Sequence, residues 1–185
     1  AVVIVLGLGI AGGCAGIGRA LVLRFAQAGA RLVILDLDQE ALDSLVQHLG
    51  SHHNVEALGL CCDVADAERV EACVQQAIEQ FGGIDVLINN AGVTHRSKFA
   101  DTTLEVFKRV MAINYFGAVH CTQAALRSLI ERNGQIIVMS SLSGFSPLLY
   151  RSAYNASKHA LHGLFETLRC ELKGSGVGVM LVCPG

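Results

Sequence analysis

The sequence predicts a doubly wound α/β fold, one parallel sheet with helices on both faces in three layers. Three observations carry that prediction. Six short apolar runs recur along the 185 residues, with segments of helical period between them. Those runs are apolar throughout rather than alternating, as strands buried on both faces are. Gly is abundant (20) and Pro scarce (2), which suits elements joined by tight glycine turns. Right-handed crossovers between such strands put helices on both sides of the sheet.

Strands are expected at 2–11, 32–36, 55–61, 84–88, 135–140 and 177–183. The first run, AVVIVLGLGIA, is too short to cross a bilayer and reads as a buried strand. It begins without Met, so a signal or membrane anchor ahead of Ala1, and with it membrane association, is left open. Helices are expected at 17–28, 39–49, 67–81, 103–132 and 154–173. The fourth is long enough for two helices or one bent one, and TTLE at 102–105 has capping-box form at its start. No linker, repeat or low-complexity stretch interrupts the chain, so 1–185 reads as one domain with length for a sizeable core.

Composition excludes several function classes. Net charge is −2 and the charges are dispersed, which leaves no basic footprint for nucleic acid. The seven cysteines (14, 61, 62, 73, 121, 170 and 183) are odd in number and show no CxxC. They read as small buried hydrophobes of a reducing, cytoplasmic compartment, not as a disulfide or zinc framework. The histidines show no metal spacing either: His52 and His53 lie in a polar stretch read as a turn, and His159 and His162 are helix neighbours expected to pack or face solvent. No metal is expected.

Two glycine patterns overlap after the first strand, GLGIAG at 7–12 and GGCAGIG at 12–18. Either could wrap a pyrophosphate against a helix N-terminus, where free N–H groups and the helix dipole favour anions. Spacing favours the second. Gly12, Gly16, Ile17 and Gly18 lead into a helix, a strand follows, and Asp36 stands 20 positions past Gly16 but 27 past Gly9. A carboxylate about that far on accepts hydrogen bonds from the adenosine ribose. It also repels a 2′-phosphate, and Cys14-Ala15 offers no cation, so NAD(H) is expected over NADP(H), with Arg19 the nearest opposing charge. The plainer reading of Asp36 is a cap for the helix that follows. Asp63 and Val64 stand just beyond the third strand, and Asn89-Asn90-Ala91-Gly92 beyond the fourth, along the crevice where such sheets bind ligands. The small Ala91-Gly92 pair permits close approach of a ring.

The stretch SLSGFSPLLYRSAYNASK (141–158) holds the residues suited to moving a proton beside a carbonyl: Ser141, Tyr154 and Lys158. Tyr154 and Lys158 are four apart and share a helix face. A phenol titrates near pH 10, and a close ammonium favours its ionised form. A Tyr so tuned serves as general acid or base, with Ser141 bonding the substrate oxygen from a neighbouring loop. By itself the spacing more often means a packed Tyr beside a solvated Lys. The loops nearby, Thr94-His95-Arg96 and the largely apolar set Leu142, Ser143, Phe145, Leu148, Leu149 and Tyr150, would line a substrate site.

Together, GGCAGIG, Asp36, Asp63-Val64, NNAG (89–92), Asn114 in NYFG, Ser141, YNASK (154–158) and Pro184-Gly185 resemble the short-chain dehydrogenase/reductase superfamily, of its single-domain Rossmann type. The stretch 154–172 is similar to that of hydroxysteroid-dehydrogenase-like members. The resemblance implies an NAD(P)-dependent oxidoreductase acting on a secondary alcohol or ketone, hydrophobic to judge from the apolar loop (a steroid, retinoid or acyl-chain compound). It implies Tyr154 as acid/base, Ser141 as the residue polarising the substrate oxygen, and Lys158 holding the cofactor ribose. Asn114 would belong to a helix irregularity that holds a water in the proton relay. Gly12, Gly16, Ile17 and Gly18 would form the phosphate turn, Asp63 and Val64 the adenine contacts, and Asn90, Ala91, Gly92, Pro184 and Gly185 the nicotinamide side. A homodimer or homotetramer through the two long helices is implied too. Alternatives are an NADP(H)-dependent carbonyl reductase and a catalytically silent dinucleotide-binding regulator. Two departures stand out. Ala11 replaces the family's usual Thr, and the family continues past the position of Gly185 through a substrate-covering loop, so a C-terminal part is expected to be missing.

Overall fold

The structure, a computed structural model, describes residues 1–6 and 13–185. The expectations for Gly7, Gly9, Ala11 and Gly12 lie outside the described residues. Six strands form one sheet: β1 (Val2–Leu6), β2 (Arg31–Asp36), β3 (Ala57–Cys61), β4 (Val86–Asn89), β5 (Gln135–Met139) and β6 (Gly178–Val182). All pairings are parallel and the order is β3-β2-β1-β4-β5-β6. The helices are α1 (Gly16–Gln27), α2 (Gln39–His53), α3 (Ala67–Phe81), α4 (Leu104–Met111), α5 (Gly117–Glu131) and α6 (Ser152–Glu171).

The uniformly apolar strands are explained by two cores, one on each face. Val3, Val5, Leu32, Ile34 and Ile88 pack with Val22 of α1 and Leu42, Leu45 and Leu49 of α2. Val2, Ile4, Val33, Leu35, Leu87, Ile136 and Val138 pack on the other side with residues of α3, α5 and α6, including Cys73, Leu129 and Phe165. Successive strand residues face opposite layers, so a strand between two helical layers needs apolar side chains at every position. Parallel pairing gathers every strand's carboxyl end along one edge. The sheet order reverses between β1 and β4, and the crevice opens at that point.

One local alternative is decided and several expectations are corrected. The long fourth segment is one continuous helical run in which α4 passes into α5 through a π-helical turn, Ala112–Phe116. The capping box does not form. Thr103 is the N-cap without a side-chain bond, while the Thr102 hydroxyl donates to the Lys98 carbonyl at 2.7 Å. His52 and His53 are the last turn of α2 rather than a separate turn. Only three of the seven cysteines (Cys62, Cys73 and Cys121) are fully buried, all seven are free thiols, and Cys170 is exposed. Among the described residues no helix is long and apolar enough to cross a membrane.

Candidate active site

A cleft of about 380 Å³ opens at the carboxyl edge beside the β1/β4 switch point. Its lining gathers Gly16, Ile17, Asn90, Gly92, Ser141, Tyr154, Lys158, Pro184 and Gly185, with Val93, Thr94, Met139 and Ser140. Residues from five loops or elements, separated by up to 169 positions in sequence, thus meet at one place.

The N-terminus of α1 lacks a side-chain cap. Gly16 has φ +50, a left-handed conformation that favours glycine, and Ala15 before it supplies no side-chain cap. No acidic residue stands in the first turn of α1, whereas α2 and α3 are capped by the Asp38 and Asp66 carboxylates and carry a Glu in their first turns. The N-terminal amides and the dipole of α1 are therefore left to something other than its own side chains. Gly13 sits so close to β2 that a Cβ would lie 2.6 Å from the Ile34 Cγ2.

Asp36 ends β2 with its side chain turned inward. Its carboxylate accepts from the amides of Leu37 (2.8 Å), Cys14 (3.1 Å) and Asp38 (3.3 Å), and the residue is 1 % exposed. It ties the first turn to the second and is absent from the cleft lining. The cap of α2 is Asp38, whose carboxylate accepts from the Ala41 amide at 3.0 Å, which corrects the capping alternative for Asp36. Asp63 is exposed and accepts from the Ala65 amide at 2.9 Å. The Val64 side chain is buried in the core against Gly117, so its backbone is what a ligand on that edge could meet. Ala91 packs on the core, which leaves Gly92 at the cleft floor.

Asn114 lies in the π turn and is buried. Its amide mimics a peptide unit: Oδ1 accepts from the Val93 N–H at 2.8 Å and Nδ2 donates to the Val93 carbonyl at 2.9 Å. Nδ2 also donates to the Ser157 hydroxyl at 2.9 Å, and that hydroxyl donates to the Tyr154 carbonyl at 2.8 Å. One side chain thus pins the loop after β4 to the start of α6. A π turn widens the helix by one residue and loosens its backbone pairing, as such turns at functional sites do.

On α6, Tyr154 is half-buried and Lys158 is 4 % exposed. The Lys158 ammonium lies 5.6 Å from the Tyr154 ring centre and donates to the Met139 carbonyl at 2.7 Å. An ammonium carries three N–H groups, and this one lines the cleft. Burial lowers the Lys158 pKa to about 8, against an upward pull from Cys183. Ser141 caps the short turn Leu142–Gly144, its hydroxyl accepting from the Ser143 amide at 3.2 Å. Of the expected substrate loop, Leu142, Phe145, Leu148, Leu149 and Tyr150 are exposed, but Ser143 is fully buried, a correction to its place in the lining.

The nicotinamide cofactor implied by the sequence passes a test of fit. The uncapped α1 terminus suits a pyrophosphate, and the buried Lys158 suits ribose hydroxyls. A Cβ on Gly92 would stand 3.5 Å from Asn114 Oδ1 and 3.7 Å from Lys158 Nζ, so the bare glycine keeps the floor open to a ring.

The sequence model of the family described as short chain dehydrogenase matches residues 7–185. The chain belongs to the short-chain dehydrogenase family. Among its curated relatives, dehydrogenase/reductase SDR family member 7B of Bos taurus is 40% identical and that of Mus musculus 38%, over 95% of this chain and 56% of each relative. Probable oxidoreductase EphD of Mycobacterium tuberculosis is 37% identical over 95% of this chain and 30% of its own length. Among solved structures, an alcohol dehydrogenase from the archaeon Thermococcus sibiricus complexed with 5-hydroxy-NADP has a TM-score of 0.93 at 26% identity, covering 100% of this chain and 75% of that one. A short-chain dehydrogenase/reductase from Burkholderia phymatum in complex with NAD has a TM-score of 0.92 at 31% identity, covering 99% and 64%. The chain spans just over half the length of the member 7B relatives.

Sequence reasoning on this short-chain dehydrogenase missed three positioning contacts. Ser157 links Asn114 to Tyr154, and its spacing of three from Tyr154 on the same helix face was the available signal. The Met139 carbonyl that receives Lys158, and the Arg151 guanidinium donating to the Thr94 hydroxyl at 2.7 Å, join segments distant in sequence and left no local trace.

Proposed function

We propose that the protein is an oxidoreductase that transfers a hydride between NAD(H) and a hydrophobic secondary alcohol or ketone. The observation carrying this reading is the convergence of Ser141, Tyr154 and Lys158 with the uncapped α1 terminus around one cleft. A bound nicotinamide supplies or accepts the hydride at its ring carbon C4. In reduction the Tyr154 phenol gives its proton to the carbonyl oxygen; in oxidation its ionised form takes the alcohol proton. The Ser141 hydroxyl donates to that same oxygen and polarises it. Lys158 binds ribose hydroxyls with the N–H groups not used by Met139, and its ammonium stands 5.6 Å from the phenol ring centre. Asn114 holds the loop and helix in register for both.

The buried Asp36 charge supports NAD(H), since it disfavours a 2′-phosphate nearby. A second reading, an NADP(H)-dependent carbonyl reductase, is supported by the inward turn of that carboxylate onto three amides. The exposed Leu142, Phe145, Leu148 and Leu149 beside Ser141 support an apolar substrate. Phe116 and Ile130, exposed on the π turn and α5, support a homodimer or homotetramer through that helix, and seven free thiols support a reducing compartment. The test is a screen of secondary alcohols and ketones with both dinucleotides. Tyr154→Phe should abolish turnover while NADH still quenches or enhances in a saturable fluorescence titration; retained turnover would sink the assignment of Tyr154.

A further inference from the structure

The seven thiols have unequal surroundings. Cys62, Cys73 and Cys121 are sealed in the core. The Cys14 thiol is pushed up to about 12 by burial and by Asp36 and Asp38. Cys61 donates its S–H to the Leu37 carbonyl at 3.5 Å. Cys170 is exposed on α6. Among the described residues Cys183 alone has an imidazole beside it: its half-buried sulfur, just past β6, lies 3.7 Å from His162 Nε2.

His162 is held in that position. Tyr154, Lys158, His162 and Glu166 recur every four residues along one stripe of α6. His162 Nδ1 lies 3.7 Å from the Glu166 carboxylate, and the Phe145 ring packs edge-on at 6.0 Å. Gly144 approaches so closely that a Cβ there would come 2.5 Å from Nε2. Nδ1 thus faces Glu166 and Nε2 faces the thiol, and in the Nδ1–H tautomer Nε2 is the acceptor. The site adjoins the cleft: Cys183 is within electrostatic reach of the Lys158 ammonium, and Pro184 and Gly185 after it form the cleft wall. Independently, Ser140 lines the same cleft, is 5 % exposed, and has an Oγ with no partner among the described residues. That hydroxyl lies 2.7 Å from the place a Gly144 Cβ would take, next to His162. It is a donor available to an incoming polar group.

We propose that Cys183, with His162 as its base, is a nucleophilic modification site at the cleft for soft electrophiles of the α,β-unsaturated carbonyl class. His162 Nε2 takes the thiol proton, and the thiolate is the attacking species. Sulfur bonds to the electrophile's β-carbon as the C=C π pair shifts toward the carbonyl. The resulting enolate, offered the Ser140 O–H and the Lys158 charge, takes a proton at its α-carbon, in balance with the one His162 removed. No oxidant or reductant enters. The adduct stands beside Pro184 and Gly185 and narrows the cleft. That it blocks cofactor binding rests on the hydride-transfer reading; the adduct itself does not.

The experiment exposes the reduced full chain to equimolar N-ethylmaleimide at pH 7 and maps labelled peptides by mass against time. Cys183 should label roughly tenfold faster than Cys170, which is more exposed but has no base among its described contacts, because the adjacent imidazole can take the thiol proton as sulfur attacks. His162→Gln should remove that advantage and leave the Cys170 rate unchanged. If Cys170 labels first in the wild type, or if His162→Gln leaves the Cys183 rate intact, the proposal is overturned. The wild-type ratio decides even if the variant misfolds, which labelling of Cys62, Cys73 or Cys121 would reveal. Saturating NADH should protect Cys183 and not Cys170. Histidine-dependent labelling without protection would support the thiol site and refute the cofactor reading.

Discussion

Lys158→Met should make the protein more stable at neutral pH while removing its function. Burial lowers the Lys158 pKa from its ordinary 10.5 to about 8, which corresponds to a penalty of about 3 kcal/mol for the charged form in the folded protein. Methionine fills similar space without charge. It leaves the Met139 carbonyl without its 2.7 Å donor, at a cost of about 1–2 kcal/mol. The net gain at pH 7 is therefore about 1–2 kcal/mol. Its pH dependence has a definite sign. Below about 8 the lysine is charged in both states and the penalty is fully present. Between about 8 and 10.5 the unfolded chain keeps a proton that the folded protein has released, so wild-type stability rises with pH. The gap should close across that window and reverse above it, where only the lost hydrogen bond remains. Urea unfolding of both proteins without cofactor, from pH 6.5 to above 10, measures the gap while other titrations cancel. A variant less stable than wild type at pH 7, or a gap that does not change with pH, would refute the reasoning. The same residue explains why the cost persists: the desolvated ammonium is the one that would meet the ribose.

Three further outcomes follow from particular contacts. Asn114→Ala strands the Val93 N–H and carbonyl and the Ser157 hydroxyl, and should cost about 2–4 kcal/mol by urea unfolding. Gly117→Ala would put a Cβ 2.7 Å from the Val64 Cγ2 and should cost about 1–3 kcal/mol, read as a lower thermal midpoint. Asp36→Asn removes the charge that opposes a 2′-phosphate, so the ratio of NAD to NADP efficiency in steady-state kinetics should fall roughly tenfold, about 1.4 kcal/mol. An unchanged ratio would move the source of the preference elsewhere.

The legibility of the chain varied with the range of the interactions. Strands such as 135–139 and helices such as 67–81 were readable because their periodicity is set by which local face is buried. The segment 103–132 was readable as long, with two helices or one bent one left open. Its π turn follows from tertiary demands, since Asn114 must reach Val93, 21 positions upstream. The capping box at 102–105 failed for a local reason, because Thr102 bonds back to Lys98 instead. Ser143 was placed in the lining by adjacency to Ser141, yet the tight turn after β5 points it into the protein.

Local chemistry in the sequence determined the layer architecture and the Tyr–Lys pair on one helix face, because each depends on residues a few positions apart. Tertiary structure alone decided that Lys158 is desolvated against Met139, that Asp36 faces inward onto three amides, and that Cys183 meets His162. Burial and charge contact depend on which distant segments pack together, and no local pattern encodes that distance.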